Sequence, residues 1–309
     1  MGSHPLRASV LIVEYATGRH LPECLRALLK STLSPDDFEV IVVDNASPTP
    51  VGHLASQFPA VRFLTSRRNL GFAGGNRLAL SYARGTHVVL LNPDAIPAPE
   101  WLAAVLSPLR DPAIGIVGSR ILHPGTDIVQ HMGGVLRANA LSDHVGRGQR
   151  DRGQWSGLVD AEYVSGAALA LKREVIDQVG FLSPVYHPAY FEETELCVRA
   201  RRAGFRVVVA PDARVEHHEA VASGGARARA YLRRYHESRL RFVLRNYGGR
   251  EMLMRFLPAE ASWFLRWCPP FERRICLAAY LRAPRSAWDG SRGEPSPEDV
   301  VEDSWRGQA

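Results

Sequence analysis

The chain has 309 residues, 46% hydrophobic and 23% charged, with a formal net charge of +6, a balance that excludes disordered and fibrous classes and leaves ample length for a sizeable core. Nearly all the positive charge is arginine, Lys30 and Lys172 being the lysines; coding bias explains this as well as phosphate recognition does, so nucleic acid is not an expected partner. Cys24, Cys197, Cys268 and Cys276 lack paired metal-ligand spacing and read as reduced thiols, no apolar run approaches the ~20 residues of a membrane span, and no signal peptide is apparent, so a cytoplasmic location is expected.

Residues 9–13 form a short apolar strand, left through a loop at Glu14 and Tyr15. Leu21, Leu25, Leu28 and Leu29 then recur at helical spacing. Residues 38–44 make a second buried strand, ending on Asp44 and the turn cluster Asn45-Ala46-Ser47-Pro48. A third strand at 61–64 leads into the glycine-rich segment 69–76, NLGFAGGN, which opens a helix. Residues 88–91 (VVLL) carry nothing polar, as a strand buried on both faces requires. Pro93 cannot donate to a ladder and pushes Asn92 out of helical geometry. Asp94 therefore stands on a loop at the carboxyl end of a buried strand, where open α/β sheets bind ligands. A carboxylate there can hold a divalent cation; closing a turn is the plainer role, and these residues alone do not choose between them.

The β-α-β-α-β-α-β order predicts a parallel sheet with right-handed crossovers. G-x-G-x-x-G is missing after the first strand, which argues against a dinucleotide-binding enzyme. A helix over 101–109, less regular strands at 114–122 and 128–136, and a polar segment 138–157 read as a mobile loop come next. Residues 164–171 predict another strand, with Gly166 where a partner approaches closely. A helix opens at FEETEL, 191–196, and stops at Gly204; a strand at 207–210 precedes Pro211, Glu216, His217 and His218. Residues 227–247 are basic and helical, weaker helices continue to about 281, and 289–309 is a polar tail expected to be disordered.

Taken together, VIVVDNAS (40–47), NLGFAGGN (69–76), LLNPD (90–94), Ser165-Gly166-Ala167, FEETELCVR (191–199), Ala203-Gly204 and 211–218 resemble the inverting glycosyltransferases of family 2, with the GT-A fold, and within them the rhamnosyltransferase-like branch. The resemblance covers about residues 8–245. It implies an α/β Rossmann-like mixed sheet with helices on both faces over 1–225, and a C-terminal helical extension over 226–288. It also implies transfer of a sugar from a nucleoside diphosphate donor, dTDP-rhamnose or a relative, to an acceptor hydroxyl by metal-assisted single displacement. A sugar-nucleotide-binding protein without turnover, and a nucleotidyltransferase on a similar sheet, are the competing readings. The latter would want a phosphate loop with glycine and lysine after the first strand, where this chain has an acid.

By the same resemblance Tyr15, Asp44, Asn69, Gly71, Gly74, Asn76 and Asn92 are donor-binding candidates, Asp44 otherwise closing an Asx turn. Asp94 and His217 are candidate ligands of Mg²⁺ or Mn²⁺, Asn92 replacing the first acid of the family's Asp-x-Asp. Glu193 is the candidate base and Glu192 the runner-up; Glu193 and Glu195 stand where the family has Asp, and Glu14 where it often has Asn. Glu195 and Arg199 are assigned to acceptor contact or support, an i,i+4 pair being the simpler reading. The acceptor is a glycan, lipid-linked or natural-product hydroxyl. The basic segment 227–247 either packs on the catalytic domain, docks at an anionic membrane surface, or makes a homodimer contact.

Overall fold

A computed structural model describes residues 5–218 and 228–304. Four parallel strands make the centre: β1 (Ala8–Glu14), β2 (Phe38–Asp44), β3 (Val61–Ser66) and β4 (His87–Leu91). The chain lays β2 and β3 on one side of β1 and then returns to place β4 on the other. This reversal opens a crevice at the carboxyl ends of β1 and β4, the switch point at which such sheets take ligands.

Beyond β4 come β5 (Ala95–Pro97), β6 (Ile114–Leu122), β7 (Val129–His131), the hairpin of β8 (Gly134–Leu136) and β9 (Ser142–His144), β10 (Val159–Asp160), β11 (Ala168–Lys172) and β12 (Arg206–His217). β11 runs antiparallel between β4 and β6, and β12 parallel to β6, so the sheet is mixed. Pro211 sits inside β12 where the register shifts between Ala210 and Arg214, a break in the ladder that costs no donor. The segment 138–157, expected to be a mobile loop, instead contributes β9 and a bridge from Ile128 to Arg150.

Alternation along the strands divides the apolar residues between two layers. Val10, Ile12, Val40, Val42 and Leu91 face α1 (Leu21–Leu28) and α3 (Trp101–Leu106). Leu11, Ile41, Val43, Val88 and Leu90 face α2 (Gly71–Leu80), with α4 (Arg173–Val179) and α5 (Glu192–Arg202) contributing to the same layer. Helices on both faces over one mixed sheet is the fold class expected from the sequence.

The extension holds α6 (Arg229–Asn246), the short α7 (Gly249–Glu251) running through a wider turn into α8 (Leu257–Arg266), and α9 (Pro270–Ser286). Arg239, fully buried, donates to both carboxylate oxygens of Glu260, at 2.7 and 2.5 Å, and Asn139 and Tyr280 donate to the same carboxylate. The basic sequence of α6 is therefore partly spent on packing: Arg239 meets Glu260, Arg245 meets Glu195, and Arg241 Nε donates to Ser286. Arg227 lies outside the described residues.

The tail differs from expectation through residue 304. Residues 300–303 form β13 (Val300–Asp303), antiparallel to β3. The acids that read as a charged, disordered run have partners: Arg68 donates to Asp299 and Arg62 to Asp303, while β13 covers the sheet edge. Sequence distance hides these pairings, since the partners lie more than 200 residues away. Residues 305–309 lie outside the described residues.

This segment presses on α2. A Cβ at Gly74 would lie 2.2 Å from the Gly293 carbonyl oxygen and 2.8 Å from Leu70 Cβ. Gly74→Ala is expected to destabilise the protein by about 1–3 kcal/mol, the cost of overpacking. A denaturant midpoint unchanged from wild type would mean the tail does not hold this position.

Candidate active site

At the switch point lies a cavity of about 330 Å³. Its floor comes from strand ends: Tyr15 after β1, Asn45 after β2, and Asn92, Pro93 and Asp94 after β4. Asn69, Gly71 and Phe72 enter from the loop into α2, Ser165, Gly166 and Ala167 from the turn before β11, and Glu192 and Glu193 from the start of α5. Asn45 joins two of these loops, accepting from Leu70 N at 2.8 Å and donating to Asn69 Oδ1 and Gly71 O. Gly71 has φ +72°, and a Cβ there would meet Pro188 O at 2.7 Å; only glycine lets α2 start against the loop that carries the acids.

Asp94 and His217 meet across β4 and β12, Asp94 Oδ1 lying 3.3 Å from His217 Nε2. Gln130, on β7, fixes the ring: its Oε1 is 2.8 Å from His217 Nδ1, and its amide nitrogen donates to the His217 carbonyl. An amide oxygen can only accept, so Nδ1 carries the hydrogen. In the neutral ring Nε2 then turns its lone pair toward a carboxylate, with the Asn92 amide 3.3 Å away. Convergence of an imidazole nitrogen and a carboxylate oxygen, with an outer-shell acceptor holding the tautomer, is a donor set that fits a divalent cation. Asp94 and His217 would be the protein ligands of such a cation, leaving the rest of its shell to a bound substrate and water.

The acids opposite differ in environment. Burial pushes the Glu193 carboxyl up to about 7, against the backbone amides of Glu193, Thr194 and Gly166, which favour its charged form. Glu192, 2% exposed, is driven well above the usual range by burial and then by Glu193 beside it. Burial and mutual repulsion thus push both neighbouring carboxyls toward the protonated form, Glu193 to about 7. The turn that presents them is strained. Tyr190 and Phe191 have φ of 83° and 74°, each at a cost of roughly 1–3 kcal/mol in a non-glycine residue.

The third wall consists of His131, His144, Ser142, Tyr163, Tyr231 and Tyr235. Ser165 N donates to His131 Nε2 at 3.2 Å, so Nδ1–H of this ring, kept neutral by burial, faces His144 Nδ1 at 3.2 Å. Tyr235 OH accepts from Ser142 N. No sequence motif marks this wall, whose residues come from very short strands and from α6. Gln130 and His131, inside an otherwise apolar stretch, were the available signal.

Of the site residues anticipated from the sequence, Tyr15, Asn69, Gly71, Asn92, Asp94, Glu192, Glu193 and His217 line this cavity. Asp44, Gly74, Asn76, Glu195 and Arg199 do not. Asp44 accepts from Ser47 N and Val51 N, each at 2.9 Å, and closes the turn after β2. Gly74 faces the tail, and Asn76 donates to Phe72 O within α2. Glu195, on the side of α5 away from the cavity, accepts from Tyr186, Arg245 and Asn246. Arg199 donates to the carbonyls of Val179, Gly180 and Phe181 at the end of α4. Both are thus support residues rather than acceptor contacts. Glu14 is fully buried and takes both hydrogen bonds from Thr17, so its charge is spent within the turn.

Comparison with known proteins agrees with this geometry. An uncharacterized protein, y4gI, of Sinorhizobium fredii is 30% identical over 71% of this chain, which spans only 26% of that relative's length. The N-acetylglucosaminyl-diphospho-decaprenol L-rhamnosyltransferase of Mycobacterium tuberculosis is 26% identical over 89% of this chain and 94% of its own. Among solved structures, GalNAc-T7 with UDP, GalNAc and Mn²⁺ superposes with a TM-score of 0.65 at 16% identity, over 90% of this chain and 55% of that one; the fold is the GT-A fold. The family model for glycosyl transferase family 2 matches residues 9–180, and the chain belongs to that family, a family of glycosyltransferases.

Proposed function

We propose that the protein transfers a sugar from a nucleoside diphosphate donor to an acceptor hydroxyl with inversion, by single displacement. The observation that carries this reading is that Asp94 and Glu193 line one cavity. Asp94 and His217 would hold Mg²⁺ or Mn²⁺, which neutralises the charge developing on the departing diphosphate. Glu193 takes the proton of the acceptor hydroxyl, whose oxygen attacks the anomeric carbon from the face opposite the leaving group as the bond to the diphosphate breaks. Burial and the neighbouring Glu193 push Glu192 toward its neutral form, which keeps a second charge from the base. Asn69, Asn92 and Tyr15 would contact the donor. The rhamnosyl activity in the mycobacterial relative's name favours a dTDP-rhamnose-like donor. The test is incubation with UDP-, dTDP- and GDP-sugars, with Mn²⁺ or with chelator, and NMR of the product's anomeric proton. Retention of configuration, or no donor bound or turned over in any condition, would refute the reading.

That relative's name also supports a lipid-linked acceptor, and the surface of the extension suits one. Among the described residues no helix is long and apolar enough to cross a membrane. Along α9, Arg274, Leu277, Leu281 and Arg285 recur at helical spacing and are exposed, with Trp288 just beyond. Leu281 is 71% exposed and Trp288 69%. Apolar side chains interleaved with unburied arginines are suited to an anionic lipid surface. Co-sedimentation with phosphatidylglycerol vesicles is expected, weakening at high salt and falling severalfold in Leu281→Glu. A salt-independent dimer in solution that Leu281→Glu dissolves would assign this face to a homodimer instead.

A further inference from the structure

Outside the cavity, the seam between α6 and α9 gathers a second set of metal-binding side chains. His236, Glu272 and Cys276 each bring one donor atom within 4.8 Å of the others. Glu272 and Cys276 are i,i+4 on α9, on the inward stripe that continues through Ala279 and Ala283, and His236 faces them from α6. Cys268, just before α9, completes the group, its sulfur accepting a hydrogen bond from the Cys276 thiol. Three of the four are essentially buried, Cys276 at 0%, His236 at 1% and Cys268 at 2% exposure.

We propose that these residues form a structural Zn²⁺ site. Two sulfurs, an imidazole and a carboxylate are a donor set that suits zinc and disfavours magnesium or manganese. Tetrahedral zinc needs its donors roughly 3.3–3.8 Å apart, so His236, Glu272 and Cys276, now within 4.8 Å of one another, have to tighten by only about an ångström, with Cys268 closing in from beside Cys276. A buried atom is also left over: His236 Nε2 lies 2.6 Å from Glu272 Oε1, while Nδ1 has no hydrogen-bond partner. With the metal bound, the ring and Glu272 meet through zinc rather than through their own hydrogen bond, so Glu272 serves as a ligand and not as an outer-shell acceptor. Binding releases the two thiol protons. With both thiolates and Glu272 ionised the site carries one net negative charge, and the buried Arg239 guanidinium is near enough to act on both His236 and Cys276. The spacing of 268, 272 and 276 resembles no paired-cysteine motif, because Glu272 and Cys276 sit one turn apart on α9, Cys268 just before it, and the fourth ligand comes from α6, 32 residues before Cys268.

The consequence lies in the third wall of the active-site cavity. Tyr231, Arg234 and Tyr235 line the cavity from α6, so a metal clamp between α6 and α9 fixes that wall.

The test is a cobalt titration of full-length, reduced, chelator-treated protein, followed by absorption. Thiolate-to-cobalt charge transfer in the near ultraviolet reports only a site with sulfur, and no cysteine lines the active-site cavity. The band is expected to saturate at about one Co²⁺ per chain, to bleach on adding zinc, to vanish in Cys276→Ser and to persist in Asp94→Asn. His236→Gln keeps both sulfurs and is expected to bind cobalt about tenfold or more weakly, a second route should Cys276→Ser not fold. No thiolate–cobalt band in the wild type, an undiminished band in Cys276→Ser, or unchanged cobalt affinity in His236→Gln overturns the proposal.

Discussion

Glu193→Gln is expected to lower the transfer rate about 10²–10⁴-fold, the contribution of a positioned general base, with donor affinity retained. The acid limb of the wild-type rate should rise through pH 7, because the base works only after losing a proton that burial holds to about that value. The same shift bears on stability. The folded pKa lies above the ordinary value of 4.5, so the folded state holds this proton more tightly than the unfolded chain does. The resulting stabilisation is fully present below about pH 4.5 and is lost as pH rises through about 7. Melting temperatures should therefore fall more between pH 5 and pH 8 in the wild type than in Glu193→Gln, which has no charge to bury. A variant with wild-type turnover would move the base elsewhere, and Glu192→Gln would be the next to assay.

Removing the cation should have a comparable effect. Asp94→Asn is expected to cost about 10²–10³-fold in rate, a few kcal/mol of charge stabilisation, and to abolish the response to added Mn²⁺. Gln130→Ala, which touches no donor atom, is expected to raise the half-activating Mn²⁺ concentration about 10–100-fold, as loss of an outer-shell partner does, with near-normal turnover at saturating metal. Equal activity of Asp94→Asn and wild type in chelator and in Mn²⁺ would separate catalysis from this carboxylate.

The two groups were not equally visible in the sequence. Asp94 was legible because VVLL followed by Asn-Pro leaves few geometries, and a buried parallel strand must end at the ligand-binding edge of its sheet. Glu193 was legible only through its place in a family pattern, since three acids opening a helix also suit the helix dipole. Glu195 carries the same charge two residues later, yet helical rotation turns it to the opposite side. Asp44 was a donor-binding candidate through the resemblance, with an Asx turn as the alternative, and its carboxylate accepts from amides of its own turn. Gln130 and His131 belong to a three-residue strand, too short for any periodicity, and the partners of Asp299 and Asp303 lie across the whole chain. What reading along the sequence recovers is local order; pairing at long range is fixed by packing.

Glu195 has an implication for how the protein is divided. It lies on α5, the helix that presents Glu193, and its carboxylate accepts from Arg245 Nε and the Asn246 amide, both on α6. The family match ends at residue 180, before that helix begins. A minimal catalytic fragment cut at the end of the sheet would take two donors from this buried carboxylate, leaving Arg199 as its remaining charged neighbour beside the acids it was meant to isolate. Exchange of acceptor specificity between relatives should therefore require swapping the sheet and the helical extension together.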